Sequence, residues 1–211
     1  MDELIAAIQG TPHLAQVSIN GWWRVHPDRY AGDAFNPSAD SNARFSPLKR
    51  ADTTVLPVMY AADKVEGALM ETVFHEAPCP SAGAQLQRAE IEAKSLVLSQ
   101  LNCSASLSLI DFSSTGLRRV GLVKSQVIDT NAVHYPATRA LAQHLYEREP
   151  QAQGLLWMSR LFDQSRAVML FEDRIPAQSI SVTAPPRSVL DADVEETIMD
   201  LVDQLGMRYL S

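Results

Sequence analysis

VLPVMYAADKVEGALMETVFHE, residues 55–76, changes its hydrophobic period partway along. Residues 55–60 form a short apolar run of strand type. Pro57 within it requires an edge position or a bulge, because proline donates no ladder hydrogen bond. Residues 63–76 switch to helical spacing, with Val65, Leu69, Thr72 and Val73 on one stripe. Asp63 followed by Glu66 has the spacing of a capping box. The unit therefore reads as strand, tight connection and helix, with Tyr60 ending the strand and Glu71 on the helix. Gly67, Ala68 and His75 share the face of Glu71 at offsets of three and four, although a mid-helix glycine costs about 1 kcal/mol against alanine. Two readings of Glu71 stay open: a solvated carboxylate on an outer face, or a carboxylate beside a surface that another molecule can approach closely.

Upstream, residues 17–25 read as a strand interrupted at Asn20-Gly21, carrying Trp22, Trp23 and Arg24. Arg24 either grips an anion through its planar fork or covers apolar surface with its stem. Residues 26–43 are rich in Pro, Gly, Ser, Asp and Asn and read as a loop, closed by Arg44-Phe45-Ser46-Pro47. An arginine on such a loop is a common anion ligand. A short helix is expected at 2–9. Strand-like pieces follow at 87–91, 95–101 and 106–111, with an ambiguous stretch at 120–128 and a helix at 138–147. Short apolar strands at 154–157 and 167–171 flank Met158 to Arg166, and 179–183 supplies one more. The last helix, 193–205, carries a stripe of Val194, Ile198, Leu201, Val202 and Leu205, with Gly206 placed to cap it. Strands and helices do not alternate regularly, so the class is α+β rather than doubly wound α/β.

The chain has 211 residues, enough for one domain with a substantial core. Its net charge of −7 argues against a general binder of nucleic acid or anionic membrane, which needs a basic field. Cys79 and Cys103 have no metal spacing and read as reduced thiols of a cytoplasmic protein. No stretch approaches the roughly 18 apolar residues of a membrane span. The start, MDELIAAIQG, lacks the basic residues of a secretory signal. The five histidines show no metal spacing, and no Walker loop or GxGxxG is found. Ser159 lies at the end of an apolar strand without the G-x-S-x-G setting of a nucleophile. Arg160 beside it reads equally as a surface residue and as an anion ligand.

WWRV at 22–25, ARFSP at 43–47, MYAADKVEGALMETVFHE at 59–76, and GLLWMSR at 154–160 followed by AVMLF at 167–171 together resemble the RES domain family. The ordered set covers residues 22 to about 174, and Tyr60 and Glu71 keep the family's spacing. Two departures stand out: Asn42-Ala43 replaces a glycine pair, and Ser46 replaces an asparagine. The resemblance implies a single RES-type domain over 1–211, with an ADP-ribosyltransferase-like fold built on a central split β-sheet flanked by helices. It implies a toxin of a toxin–antitoxin pair that cleaves the nicotinamide–ribose bond of NAD+. Phosphorolysis with inorganic phosphate is the leading expectation. The alternatives are mono-ADP-ribosylation of a protein and a non-catalytic nucleotide- or partner-binding role. The implied catalytic residues are Arg24, Tyr60, Glu71 and Ser159; Arg44 and Arg160 join them in binding NAD+ and phosphate. No metal and no cofactor beyond the NAD+ substrate is expected. The implied partner is a helix-turn-helix antitoxin of Xre type. Residues 81–135 and 183–211 are assigned to core packing, with an antitoxin interface or self-association as alternatives.

Overall fold

Helices and strands follow one another irregularly in the computed structural model, which describes residues 2–78 and 81–211. In chain order they are α1 (Asp2–Ala6), β1 (Leu14–Pro27), β2 (Leu48–Lys49), β3 (Val55–Leu56), β4 (Val58–Ala62), α2 (Val65–Met70), β5 (Gln85–Gln87), α3 (Arg88–Ala93), β6 (Leu96–Asp111), α4 (Ser114–Arg119), α5 (Lys124–Val127), α6 (Tyr135–Arg148), β7 (Gly154–Met158), β8 (Arg166–Phe171), β9 (Ile180–Val182), β10 (Arg187–Ser188), α7 (Ala192–Gln204) and β11 (Arg208–Leu210). The class is α+β, with a central multi-stranded sheet flanked by helices.

The frame is the antiparallel pair β1–β6, in register from Leu14↔Ile110 to Pro27↔Leu96 with irregularities on both sides of Asn20. The Asn20-Gly21 break is thus a bulge within one strand. Gly21 takes a φ of 69°, which glycine adopts without steric cost, and donates its N–H to Asn102 Oδ1 at 2.7 Å. From β1 the sheet runs through β4, β8 and β7 and returns to β6. Its weakest seam decides where the site lies. β1 meets β4 at one partner pair, Trp23↔Ala62. Past that pair the strands part, and an Asn36↔Val58 bridge brings the loop after β1 back against β4.

Side chains of β4 alternate between two cores. Met59 and Ala61 pack with Val17, Ile19, Trp22 and Leu170. Val58 packs with Phe45, Leu141, Trp157 and Phe171, and Tyr60 leans on the same cluster. A third cluster joins Leu69, Met70 and Phe74 to the buried α7 stripe Val194, Ile198, Leu201 and Val202, each such side chain contributing about 1.5–3 kcal/mol by burial. Gly206 ends that helix at a φ of 65°.

Several expectations change. The helix of residues 63–76 ends at Met70; Glu71 is its C-cap, and turns carry the chain to 76. No capping box forms, because Lys64 is the N-cap. The Asp63 carboxylate instead accepts from Ser165 Oγ at 2.9 Å and from Arg166 N and Nε at 2.8 Å each. Gly67 does not open space beside Glu71: a Cβ there would lie 2.1 Å from Ser165 Oγ. The strand expected at 87–91 is mostly α3, and the pieces at 95–101 and 106–111 are one strand, since the polar residues between them pair with β1 and β9. Cys79 lies outside the described residues; Cys103 Sγ sits 3.6 Å from Ser179 Oγ. Among the described residues no helix is long and apolar enough to cross a membrane.

Candidate functional site

Where β1 and β4 part, a cleft of about 420 Å³ opens. Its lining draws Trp23, Arg24 and His26 from β1 and Tyr60 from β4. The loops add Tyr30, Phe35 and Arg44, the end of α2 adds Ala68 and Glu71 with Thr72 and His75 beyond it, and β7 adds Trp157. Arg24, Arg44, Tyr60 and Glu71 are therefore brought to one cavity from four separate parts of the chain.

Glu71 reaches it because the helix stops there. Its Oε1 is buried and has no hydrogen-bond partner among the described residues, and among them it makes no ion pair within 4.0 Å. Leaving a buried charged acceptor unsatisfied is costly. The two arginines are held by a common device. Arg24 Nη1 donates to the carbonyls of Gly32 at 2.8 Å and Ala34 at 2.5 Å. Arg44 Nη1 donates to the Thr130 carbonyl at 3.1 Å, to Thr130 Oγ1 and, at 3.4 Å, to the Val127 carbonyl. The Arg44 guanidinium also lies 5.0 Å over the Tyr135 ring, and Thr138 Oγ1 pins the Arg44 carbonyl at 2.6 Å. Every described hydrogen bond of either guanidinium leaves from Nη1. Burial pulls the Arg24 pKa down to about 10, against the opposing charge of Asp33; it stays a cation at neutral pH. Burial also lowers Arg44, opposed by Tyr135; Arg160 lowers it further, and Glu71 and Asp129 raise it.

Tyr60 donates its hydroxyl to Ser46 Oγ at 3.0 Å. Its ring meets Trp157 edge-on at 6.2 Å, and Trp157 meets Phe45 at 5.2 Å. Burial raises the phenol's pKa well above its ordinary value, with hydrogen bonds from the 45–46 segment opposing, so the phenol stays protonated. His26 is held at both nitrogens, by the Pro27 carbonyl at 2.9 Å and Ser99 Oγ at 2.8 Å. The carbonyl can only accept, so Nδ1 carries the proton.

Ser159 is placed differently from the expectation. It is fully buried, its hydroxyl accepts the N–H groups of Leu161 at 3.2 Å and Phe162 at 3.1 Å, and it is not part of the cleft lining. It closes a turn rather than facing a ligand. Arg160 also lies outside the lining, but its Nε is buried without a partner among the described residues, and its charge is felt at Arg44. Of the tryptophan pair only Trp23 lines the cleft; Trp22 is core. The Asn42-Ala43 turn does not need glycine, because neither residue takes a positive φ. Asn42 Oδ1 accepts from Arg139 at 3.4 Å.

Residues that sequence reasoning passed over include Trp157, quoted in a motif but given no role, and Thr130 and Tyr135, which hold Arg44 from 86 and more positions away. No local signal marks the latter two. Among the described residues no group of three or more His, Cys, Asp or Glu is arranged to hold a metal ion.

A family model described as the RES domain matches residues 21–204. No curated protein matches the sequence. Among solved structures, a chain of the crystal structure of the M. tuberculosis MbcT–MbcA toxin–antitoxin complex superposes with a TM-score of 0.62 at 15% identity. The match covers 92% of this chain and 93% of that one, a likeness of fold.

Proposed function

The chain belongs to the RES domain family, and from that membership and the cleft we propose that it degrades NAD+ by cleaving the nicotinamide–ribose bond. The observation that carries this reading is the buried Glu71 Oε1, unpartnered among the described residues, in a cavity shared with Arg24, Arg44 and Tyr60. Cleaving this bond expels a neutral pyridine and leaves positive charge on the ribose. A carboxylate oxygen with no partner among the described residues has its acceptor capacity left for that sugar. Preorganised charge of this kind is worth about 3–4 kcal/mol, or roughly 10²–10³ in rate.

The other residues divide the remaining work. Tyr60 and Trp157 wall the nicotinamide. Arg24 and Arg44 bind the pyrophosphate through guanidinium nitrogens other than Nη1. Arg160, on the turn that Ser159 closes and outside the lining, adds positive charge beside Arg44 to the field that draws in the anion. Phosphorolysis is the preferred outcome: a phosphate oxygen bonds to the ribose anomeric carbon as the carbon–nitrogen bond breaks. The electron pair leaves on the ring nitrogen, giving nicotinamide and ADP-ribose 1''-phosphate. NAD+ is the substrate, inorganic phosphate the co-substrate, and no resident cofactor takes part. The structural likeness to a chain from a toxin–antitoxin complex supports a toxin role with an antitoxin partner. A cytoplasmic setting and a helix-turn-helix antitoxin of Xre type are part of the proposal that rests on the family resemblance alone.

Incubation with NAD+, with and without phosphate, followed by mass analysis of the products, tests the proposal. Phosphate-dependent ADP-ribose phosphate is the expected result. Free ADP-ribose would replace phosphorolysis by hydrolysis, and a mass gain on a protein would replace it by ADP-ribosylation. Intact NAD+ in every arm would overturn the enzymatic reading.

A further inference from the structure

Ser46 follows Arg44 and Phe45 directly, and the three residues face three different environments. Arg44 lines the cleft, Phe45 is fully buried in the core, and Ser46 is 2% exposed. The Ser46 hydroxyl accepts the Tyr60 phenol proton at 3.0 Å and lies 3.3 Å from Ser41 Oγ. With the phenol as donor, Ser46 Oγ still has a second lone pair and its own proton, so either serine donates across the 3.3 Å contact to Ser41. The Tyr60 ring is held sideways by Trp157, which is itself seated on Phe45. One three-residue segment thus fixes both the Arg44 cation and the tilt and polarity of Tyr60.

We propose that Ser46 is a positioning residue for Tyr60: it holds the phenol proton and so turns the oxygen's lone-pair side to the substrate. This rests on the reading of the cleft as an NAD+ site. It specifies that Tyr60 accepts a hydrogen bond from a hydroxyl or amide donor of the bound dinucleotide and does not donate one. In Ser46→Ala the phenol loses its acceptor, and its proton turns toward the cleft, where it opposes the substrate's own donor.

A double-mutant cycle tests the assignment. Wild type, Ser46→Ala, Tyr60→Phe and the double variant are compared for NAD+ consumption and for thermal midpoint. Ser46→Ala should lower kcat/KM by roughly 5- to 10-fold in the wild-type background, the effect of one hydrogen bond. In the Tyr60→Phe background it should lower kcat/KM by less than about twofold, because the group it acts through is gone. Equal losses in both backgrounds overturn the proposal. So does coupling confined to the thermal midpoints, which would make the bond merely structural. Absence of both NAD+ consumption and NAD+ binding in the wild type defeats the functional reading itself. That result is distinguishable, because the thermal cycle needs no substrate and still reports whether Ser46 and Tyr60 are paired.

Discussion

Replacing Glu71 by glutamine keeps the shape of the side chain and removes its charge. The Oε1 atom is buried and unpartnered among the described residues, so no protein hydrogen bond to it is lost. What disappears is its attraction for positive charge developing on a bound ribose. A unit charge about 4 Å away is worth about 4 kcal/mol at an effective dielectric of about 20, which falls at the upper end of measured losses for preorganised groups. The expected fall in kcat is therefore roughly 10²–10³. Stability should move the other way or not at all. Relief of up to about 1 kcal/mol of desolvation would raise Tm by about 2–4 °C in a chain of this size, offset in part by the lost attraction to Arg44, whose pKa Glu71 raises. Nicotinamide release, followed alongside a thermal melt, measures both quantities. Turnover within a few-fold of wild type in a folded Glu71→Gln protein would refute the reasoning. A large loss of Tm would mean that Glu71 is a structural anchor.

Arg44→Lys keeps a cation but cannot serve Thr130 and a ligand at once from a fork; KM for NAD+ or phosphate, each measured separately, should rise roughly 10- to 100-fold. Some loss of Tm should accompany it, because the contact over Tyr135 goes too. Gly67→Ala should destabilise by about 1–3 kcal/mol despite the better helix propensity of alanine, since its Cβ would press on Ser165; a denaturant titration reads the change. His26 has its pKa lowered chiefly by burial, with Arg24 adding to the effect and the Pro27 carbonyl and Asp28 opposing. The unfolded chain therefore takes up the proton first as pH falls below about 6.5. The stability that neutral His26 contributes is complete above that pH and is lost as pH falls toward the folded-state pKa. The urea midpoint should drop on the acid side in wild type and drop less in His26→Gln.

Local pattern offers Arg24, Arg44 and Glu71 only as candidates, each with a bland reading beside it; the ordered resemblance to the RES family is what singles them out together with Tyr60. Their convergence on one cleft depends on β1 parting from β4 after Trp23↔Ala62, and strand pairing leaves no local trace in sequence. The helix was read too long because residues 71–76 keep an apolar spacing while the backbone turns. Periodicity records which side chains are buried, and Phe74 is buried either way. Gly67 was legible as an anomaly but not as a contact, since its neighbour Ser165 lies 98 positions on and is itself bound to Asp63. The resemblance implies a ligand-facing Ser159, but a hydroxyl that accepts the amides two and three residues ahead makes a local turn.

The way the cations are held bears on how the cleft stays ready. Arg50, Arg88, Arg148, Arg166 and Arg187 each pair with a carboxylate. Arg24 and Arg44 make no such pair among the described residues and hydrogen-bond to backbone carbonyls, with Thr130 Oγ1 as the one side-chain partner. A carbonyl fixes the guanidinium in place without neutralising it. Full pairing with Glu71 would be the cheaper arrangement for a free protein, since it would satisfy a buried anion and a buried cation together. It would also cancel the field that a dinucleotide's phosphates and its cleaving sugar require. Keeping Glu71 within electrostatic reach of Arg44 but out of ion-pair contact costs stability in the empty cleft, and bound substrate removes that cost. NAD+ should therefore raise the thermal midpoint of wild type by more than it raises that of Glu71→Gln, a difference that binding to the arginines alone would not produce.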